Sequence, residues 1–291
     1  MNTMNDSENI YKTSMAKCRF PDLTIEELLY LQLSGLSLRQ LQDDTIDTKS
    51  YLKETIRNDV RKWDKARRIL ERQEKAGIVS IPYYADDYPC RLKVLNSDAP
   101  ILVHVLGSKE LLYHENSVAV IGARAADKKG LGIAYFSSQQ LAKQGYPVIS
   151  GLALGCDTAA HRGCLDAGGQ TMAVVASGLD ITHPKVNKTL QQDIVASGGT
   201  ILSEYPFGVK ANPTRLVARC RIQAALSHVV IVAQCPIISG TMYAVRFAKM
   251  YGRNVYATRF DRQNELNTGN KFLLDYGIAQ PISTEYPIWI I

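Results

Sequence analysis

No stretch of this 291-residue chain approaches the roughly 20 consecutive apolar residues that a membrane-spanning helix requires. Its start, Met1-Asn2-Thr3-Met4-Asn5-Asp6-Ser7, lacks the basic segment and apolar run of a secretory leader, so a cytoplasmic location is expected. Six cysteines are present, but none forms a Cys-x-x-Cys pair. In a reducing cytoplasm they are expected to behave as small buried hydrophobes. Cys156, His161 and Cys164 share one short segment without a fourth ligand nearby, so no metal is expected there. A Walker lysine motif is also missing, which argues against NTP hydrolysis. No internal repeat or low-complexity tract is visible.

What is present is ordinary for a soluble globular protein: 46% hydrophobic and 21% charged residues, in a length that predicts one large domain and one small one. The formal net charge of +6 leans toward a polyanionic partner, a charge also common in proteins that touch no nucleic acid. Residues 1–20 are polar and aperiodic and read as a loose terminus. Residues 21–78 read as a small helical domain. Thr24 followed by Glu26 and Glu27 predicts a capped helix with Leu28, Leu29, Leu31 and Leu33 on its apolar face, and residues 37–41 predict a second helix. Residues 51–75 predict a third. It carries Arg57, Arg61, Lys62, Lys65, Arg67, Arg68, Arg72 and Lys75 among Glu54, Asp59, Asp64, Glu71 and Glu74, and these mixed signs favour a solvated surface over a phosphate contact.

Residues 79–291 read as the large domain. After a short strand at 78–81 and a turn-rich connection at 84–89, a regular alternation begins at Val118. Apolar strands at 118–121, 148–150, 172–175, 200–202, 229–232 and 254–256 alternate with amphipathic helices. Strands that are apolar throughout and separated by helices imply a parallel sheet covered on both faces. The expected fold is therefore α/β, a doubly wound, mostly parallel Rossmann-like sheet preceded by a small helical domain. Ligands of such sheets bind beyond the carboxyl ends of the strands, where helix N-termini offer free amides.

A dinucleotide site would need Gly-x-Gly-x-x-Gly after the first strand, but Gly122-Ala123-Arg124-Ala125-Ala126-Asp127 stands there, and Ser150-Gly151 replaces the acidic residue expected after the second. No nicotinamide, flavin or other cofactor is expected. The loops are instead rich in small residues, hydroxyls and arginine: Gly122 with Arg124, Ser150-Gly151, and Ser239-Gly240-Thr241 opening a helix. These suit an oxyanion such as phosphate. Each such glycine is equally explained by a tight turn; it is the convergence of several on one sheet edge that favours a ligand.

Ser117-Val118-Ala119-Val120-Ile121-Gly122-Ala123-Arg124 resembles the first strand and Gly-Ser-Arg loop of the DNA-processing protein A (DprA/Smf) family, with alanine in the serine position. Residues 150–161, Ser-Gly-Leu-Ala-Leu-Gly-Cys-Asp-Thr-Ala-Ala-His, are similar to its Ser-Gly-Leu-Ala-x-Gly-Ile-Asp-x-x-Ala-His signature. The likeness covers roughly residues 80–280 and continues through Gly178-Leu179-Asp180, His183-Pro184-Lys185-Val186-Asn187, Ser203-Glu204-Tyr205-Pro206 and Gly269-Asn270-Lys271. It departs at Arg219-Cys220-Arg221-Ile222-Gln223, where the family shows Arg-Asn-Arg-Ile-Ile, and the winged helix many relatives carry is not expected.

The resemblance implies a non-catalytic, single-stranded DNA-binding protein that acts in DNA processing and recombination, including DNA uptake and loading of the RecA recombinase. It implies a homodimer, with Met242, Tyr243, Phe247 and Met250 as candidate interface residues, although these apolar positions suit a core better. The residues expected on phosphate are Arg124, Lys185, Asn187, Arg215, Arg219 and Arg221, with Gly122, Gly151, Ser239, Gly240 and Thr241 as an amide cradle. Asp157, His161 and Glu204 are expected to orient loops, because no nucleophile or metal accompanies them. Two other readings stay open. One is a regulatory or antitoxin partner of a toxin or anti-phage effector. The other is a nucleotide phosphoribohydrolase, although Ala244 stands where those enzymes carry a glutamate.

Overall fold

The structure, a computed structural model, describes residues 23–43 and 47–282. The expected loose terminus at 1–20 and the apolar tail at 287–291 lie outside them. Helix α1 (Ile25–Leu33) opens on a reciprocal cap: Thr24 Oγ1 accepts from Glu27 N–H at 3.2 Å while Glu27 Oε2 accepts from Thr24 N–H at 2.7 Å. Helix α2 (Leu38–Leu41) repeats the device with Ser37 and Gln40. The single helix expected over 51–75 is two helices, α3 (Thr48–Asn58) and α4 (Val60–Lys75). Asp59 divides them. Its backbone leaves helical geometry at φ −141° and ψ 66°, and its carboxylate accepts from Lys62 N–H at 3.0 Å, starting a new helix where pattern alone continued the old one.

The large sheet is built from β1 (Val79–Pro82), β2 (Leu102–Gly107), β3 (Val118–Ile121), β4 (Val148–Ser150), β5 (Thr171–Val175), β6 (Thr200–Ser203), β7 (Val229–Val232), β8 (Asn254–Thr258) and β9 (Gln280–Ile282). Their order is β1-β2-β6-β5-β4-β3-β7-β8-β9. From β6 to β9 all neighbours are parallel, whereas β2 lies antiparallel to both β6 and β1. The connecting helices are α5 (Lys128–Lys143), α6 (Cys156–Asp166), α7 (Lys188–Ala196), α8 (Pro213–Leu226), α9 (Thr241–Met250) and α10 (Thr268–Asp275). The mostly parallel sheet follows from the apolar strands, which are buried throughout in β3 to β7. Pattern alone missed β2, β9 and α10.

The N-terminal helices pack against the sheet. One hydrophobic core runs from Leu28, Leu29, Leu52 and Ile69 through Leu102 and Val103 to Ile201 and Leu202, so the N-terminal helices and the sheet share it. Polar contacts reinforce that seam: buried Gln73 of α4 donates to Ser80 Oγ and contacts His104 Nδ1 at 3.0 Å, and its Oε1 accepts from Phe207 N–H at 3.1 Å.

Candidate functional site

The chain winds outward from β3 to β6 on one side and from β7 to β9 on the other, so the topological switch lies between β3 and β7. A cleft of about 530 Å³ opens there, walled by loops after β3, β4 and β7 and by one side of α8. The loops are stapled to each other by their backbones. Ala123 N–H donates to Gln234 O at 2.7 Å, and Cys156 N–H to Ala123 O at 3.1 Å.

In a dinucleotide fold the first helix after β3 would receive pyrophosphate. Here its N-terminus is already occupied: Asp127 Oδ1 accepts from Gly130 N–H at 2.8 Å, and Gln234 bonds Asp127 through both ends of its amide at 3.0 Å. Those donors, led by the Gly130 amide, hold the Asp127 carboxyl below its ordinary pKa, so a carboxylate fills the place of the phosphate. The N-terminus of α9 is different. No side chain caps it, and the space around Gly240 is open.

Six of the residues expected on phosphate line the cleft: Gly122, Arg124, Arg219, Ser239, Gly240 and Thr241. Arg124 is exposed at the mouth and forms no ion pair among the described residues. Arg219 is corrected from a phosphate ligand to an internal brace. It is 6% exposed, donates through Nη1 to Gly151 O and to Val174 O at 2.7 Å, and pairs with Asp157 at 3.4 Å. Gly151 is corrected with it. Its N–H is taken by Asp157 Oδ2 at 3.1 Å, and a Cβ there would lie 1.7 Å from Arg219 Nη1, so glycine serves close packing rather than an amide cradle.

The remaining expected residues lie elsewhere. Asn187 is buried and donates to Leu152 O at 2.9 Å, Ala153 O at 3.3 Å and Thr158 Oγ1 at 2.9 Å, which makes it a strut and not a phosphate ligand. Lys185, two residues earlier, is exposed on the connection after β5, outside the cleft lining. Arg215 and Arg221 line a second cleft of about 500 Å³ on another side of α8, toward α1 and α2. Arg221 is held there by Glu204 through two bonds of 2.7 Å, a part-buried bidentate pair that engages its guanidinium. Arg215 donates to Lys210 O at 2.7 Å and lies over the Tyr205 ring at 5.4 Å.

Asp157 and His161 accept from the amides of the 151–153 turn, whereas the Glu204 carboxylate pairs with Arg221. His161 Nε2 accepts from Leu152 N–H at 3.3 Å and Nδ1 meets Thr171 Oγ1 at 2.8 Å, supporting Leu152 in its left-handed conformation at φ +57°. Burial, reinforced by Arg219, pushes the His161 pKa down to about 3, so the ring is neutral. Cys156 and Cys164 are raised to about 12 by burial and remain thiols, so the trio read for metal presents no thiolate. The cleft-lining residues that the sequence reading did not single out include Pro213, Leu216 and Val217 of α8, Pro236 and Leu266. The spacing 213, 216, 220, 223 along α8 is the signal that marks a single face. Among the described residues, two in the cleft carry polar atoms shut off from solvent without a protein partner: Gln223 Nε2 and Arg219 Nε.

The family model for DNA recombination-mediator protein A matches residues 80–290. The chain belongs to this family. The DNA processing protein DprA of Streptococcus pneumoniae is 38% identical over 192 residues, covering 66% of this chain and 67% of that protein. Protein Smf of Synechocystis is 37% identical over 59% of this chain, which spans 43% of that relative's length. Among solved structures, Streptococcus pneumoniae DprA superposes with a TM-score of 0.70 at 31% identity, over 90% of both chains. A DprA from Helicobacter pylori, described for its unique single-stranded DNA binding mode, superposes at 0.64 with 31% identity over 70% of this chain and 90% of its own. The switch-point cleft, β3 to β9 and the pinned 151–153 turn all fall inside the segment matched to the DprA family.

Proposed function

We propose that this protein binds single-stranded DNA through the switch-point cleft, without catalysis, in DNA processing and recombination. The observation that carries the reading is the pairing state of the cleft's charges. Among the described residues its one carboxylate, Asp157, is committed to Arg219 and to two backbone amides, while Arg124 at the mouth forms no ion pair. Such a site offers cation, open amides at α9 and apolar walls to a phosphodiester and its bases, but no base or nucleophile. Ala244, buried in the lining, has no carboxyl to serve phosphoribohydrolase chemistry. The DprA relatives support the reading, the Helicobacter pylori protein most directly. The proposal extends to a cytoplasmic homodimer that hands the strand to RecA. Tyr243 and Met250, exposed on α9, suit such an interface.

Fluorescence anisotropy with a single strand, its duplex and mononucleotides over a salt series tests the proposal. Single strands should bind best, with a logarithmic salt slope of about −0.7 per phosphate contacted. Equal affinity for the duplex, or release of free base from mononucleotides, would overturn it.

A further inference from the structure

We propose that α4 is a second single-strand contact, a cationic track that carries the DNA from the cleft onto the N-terminal helices; this rests on the function proposed above. Seven cations and three acids give the 16-residue α4 a net charge of +4, against +6 for the entire chain. The signs, mixed in sequence, separate on the helix. Arg61, Lys65, Arg68, Arg72 and Lys75 recur at steps of four, three, four and three, so they form one row along a single face, and all are exposed. Asp64 and Glu71 flank that row on one side, with Arg67 and Glu74 beyond them. Among the described residues, α4 makes only the Lys62–Asp59 pair at 3.3 Å and the Arg72–Asp180 pair at 3.7 Å. Arg61, Lys65, Arg68 and Lys75 therefore keep free charges.

The position of the row decides what it serves. Asp180 belongs to the connection after β5 and Phe207 to the one after β6. Arg72 pairs with the first and lies over the second ring at 5.5 Å, while Gln73 accepts the Phe207 amide. The carboxyl-terminal half of α4 is thus fastened to the same sheet edge that bears the cleft. Across that edge the order is β7, β3, β4, β5, β6, which runs from Arg124 by way of Lys185 to Arg72. Beyond Arg72 the row continues to Arg61 for ~16 Å at ~1.5 Å per residue. An extended polyanion lying on the cleft meets this row next.

A membrane surface fits less well. A helix that lies on lipid exposes its apolar face, whereas past the exposed Val60 of its first turn the apolar side of α4 packs inward, with Ala66 and Ile69 buried in the core and Trp63 at 5.9 Å from Tyr30.

The test compares the full chain with Arg61→Gln/Lys65→Gln/Arg68→Gln on oligothymidylates of about six and about thirty nucleotides. All three residues are exposed, and an unchanged Tm would confirm that the variant is folded. The expected result is a tenfold or greater loss of affinity for the long strand, a salt slope shallower by about 2, and unchanged affinity for the short strand. Long-strand affinity and slope equal to the parent's would overturn the track, as would lost binding to anionic phosphatidylserine vesicles with DNA binding intact. Arg124→Ala should weaken both lengths. If it weakens neither while the triple variant loses the long strand, the cleft reading falls and the track stands; a parent that binds neither strand sinks both.

Discussion

Removing the Arg219 guanidinium would strand the Asp157 carboxylate and two backbone carbonyls in the protein interior, where each is 7% exposed or less as a side chain or wholly enclosed by it. Arg219→Ala should therefore destabilise the fold by about 3–5 kcal/mol, the cost of breaking a buried pair from one side. Arg219→Lys should recover little, because an ammonium cannot reproduce the planar fork that reaches all three acceptors. Arg124 is used in the opposite way. Arg124→Ala should leave the melting temperature nearly unchanged and weaken single-strand binding by about 1–3 kcal/mol, the scale of a charge-assisted contact. Melting curves and binding isotherms on the same two variants separate the roles, and a stable Arg219→Ala that has lost DNA would reverse them. Both arginines were legible in sequence as features of strand-end loops and α8. The carboxylate partners of Arg219 and Arg221 were not, since Asp157 stands 62 residues from Arg219 and Glu204 17 from Arg221, and pairing at such separations is set by how elements pack.

At the scale of elements, the site depends on loops that hold each other. Gly155, at φ +74°, opens α6, and a Cβ there would lie 2.3 Å from Ala123 O and 2.4 Å from Arg124 O. Gly155→Ala must strain its own backbone, by about 1–3 kcal/mol for a disfavoured conformation, and push the Arg124 loop away. It should lower the melting temperature and the single-strand affinity together. An affinity equal to the parent's per folded molecule would show that the two loops move independently. Helix boundaries were the weaker part of the sequence reading for a related reason. Asp59 breaks a continuous helical pattern because its backbone conformation and its bond to Lys62 N–H are local choices that apolar periodicity does not register. The antiparallel strand β2 was missed because its pairing with β6 joins segments about a hundred residues apart, and its residues from Leu102 to Val105 are buried on both faces without alternation.

For the whole molecule, the two buried histidines tie stability to pH. Burial lowers His104 and His161 to about 3, so the folded protein refuses protons that the unfolded chain accepts below about pH 6.5. Stability is complete above pH 6.5 and falls as acid is added, at about 1.4 kcal/mol per pH unit for each histidine until their native values are reached. Denaturant titrations from pH 7 to 4.5 should give a slope approaching two protons, reduced by one in His104→Asn. Native imidazole resonances for these two rings that titrate near 6.5 would refute the account. His104 sits at the seam with α4 through Gln73, so acid should loosen the helical segment and the sheet together.

The sequence alone determined the doubly wound sheet, the strand-end loops that line its switch-point cleft, and the family signature, because strand hydrophobicity, strand-end glycines and short motifs are local properties. It also placed Arg124 correctly at that edge. Only the tertiary structure decided which charges remain free. Packing buries Arg219 against Asp157, pairs the part-buried Arg221 with Glu204 and draws Asn187 into a turn. The same packing turns the mixed charges of α4 into one cationic row, because a helix sorts by angle residues that the chain lists only in order.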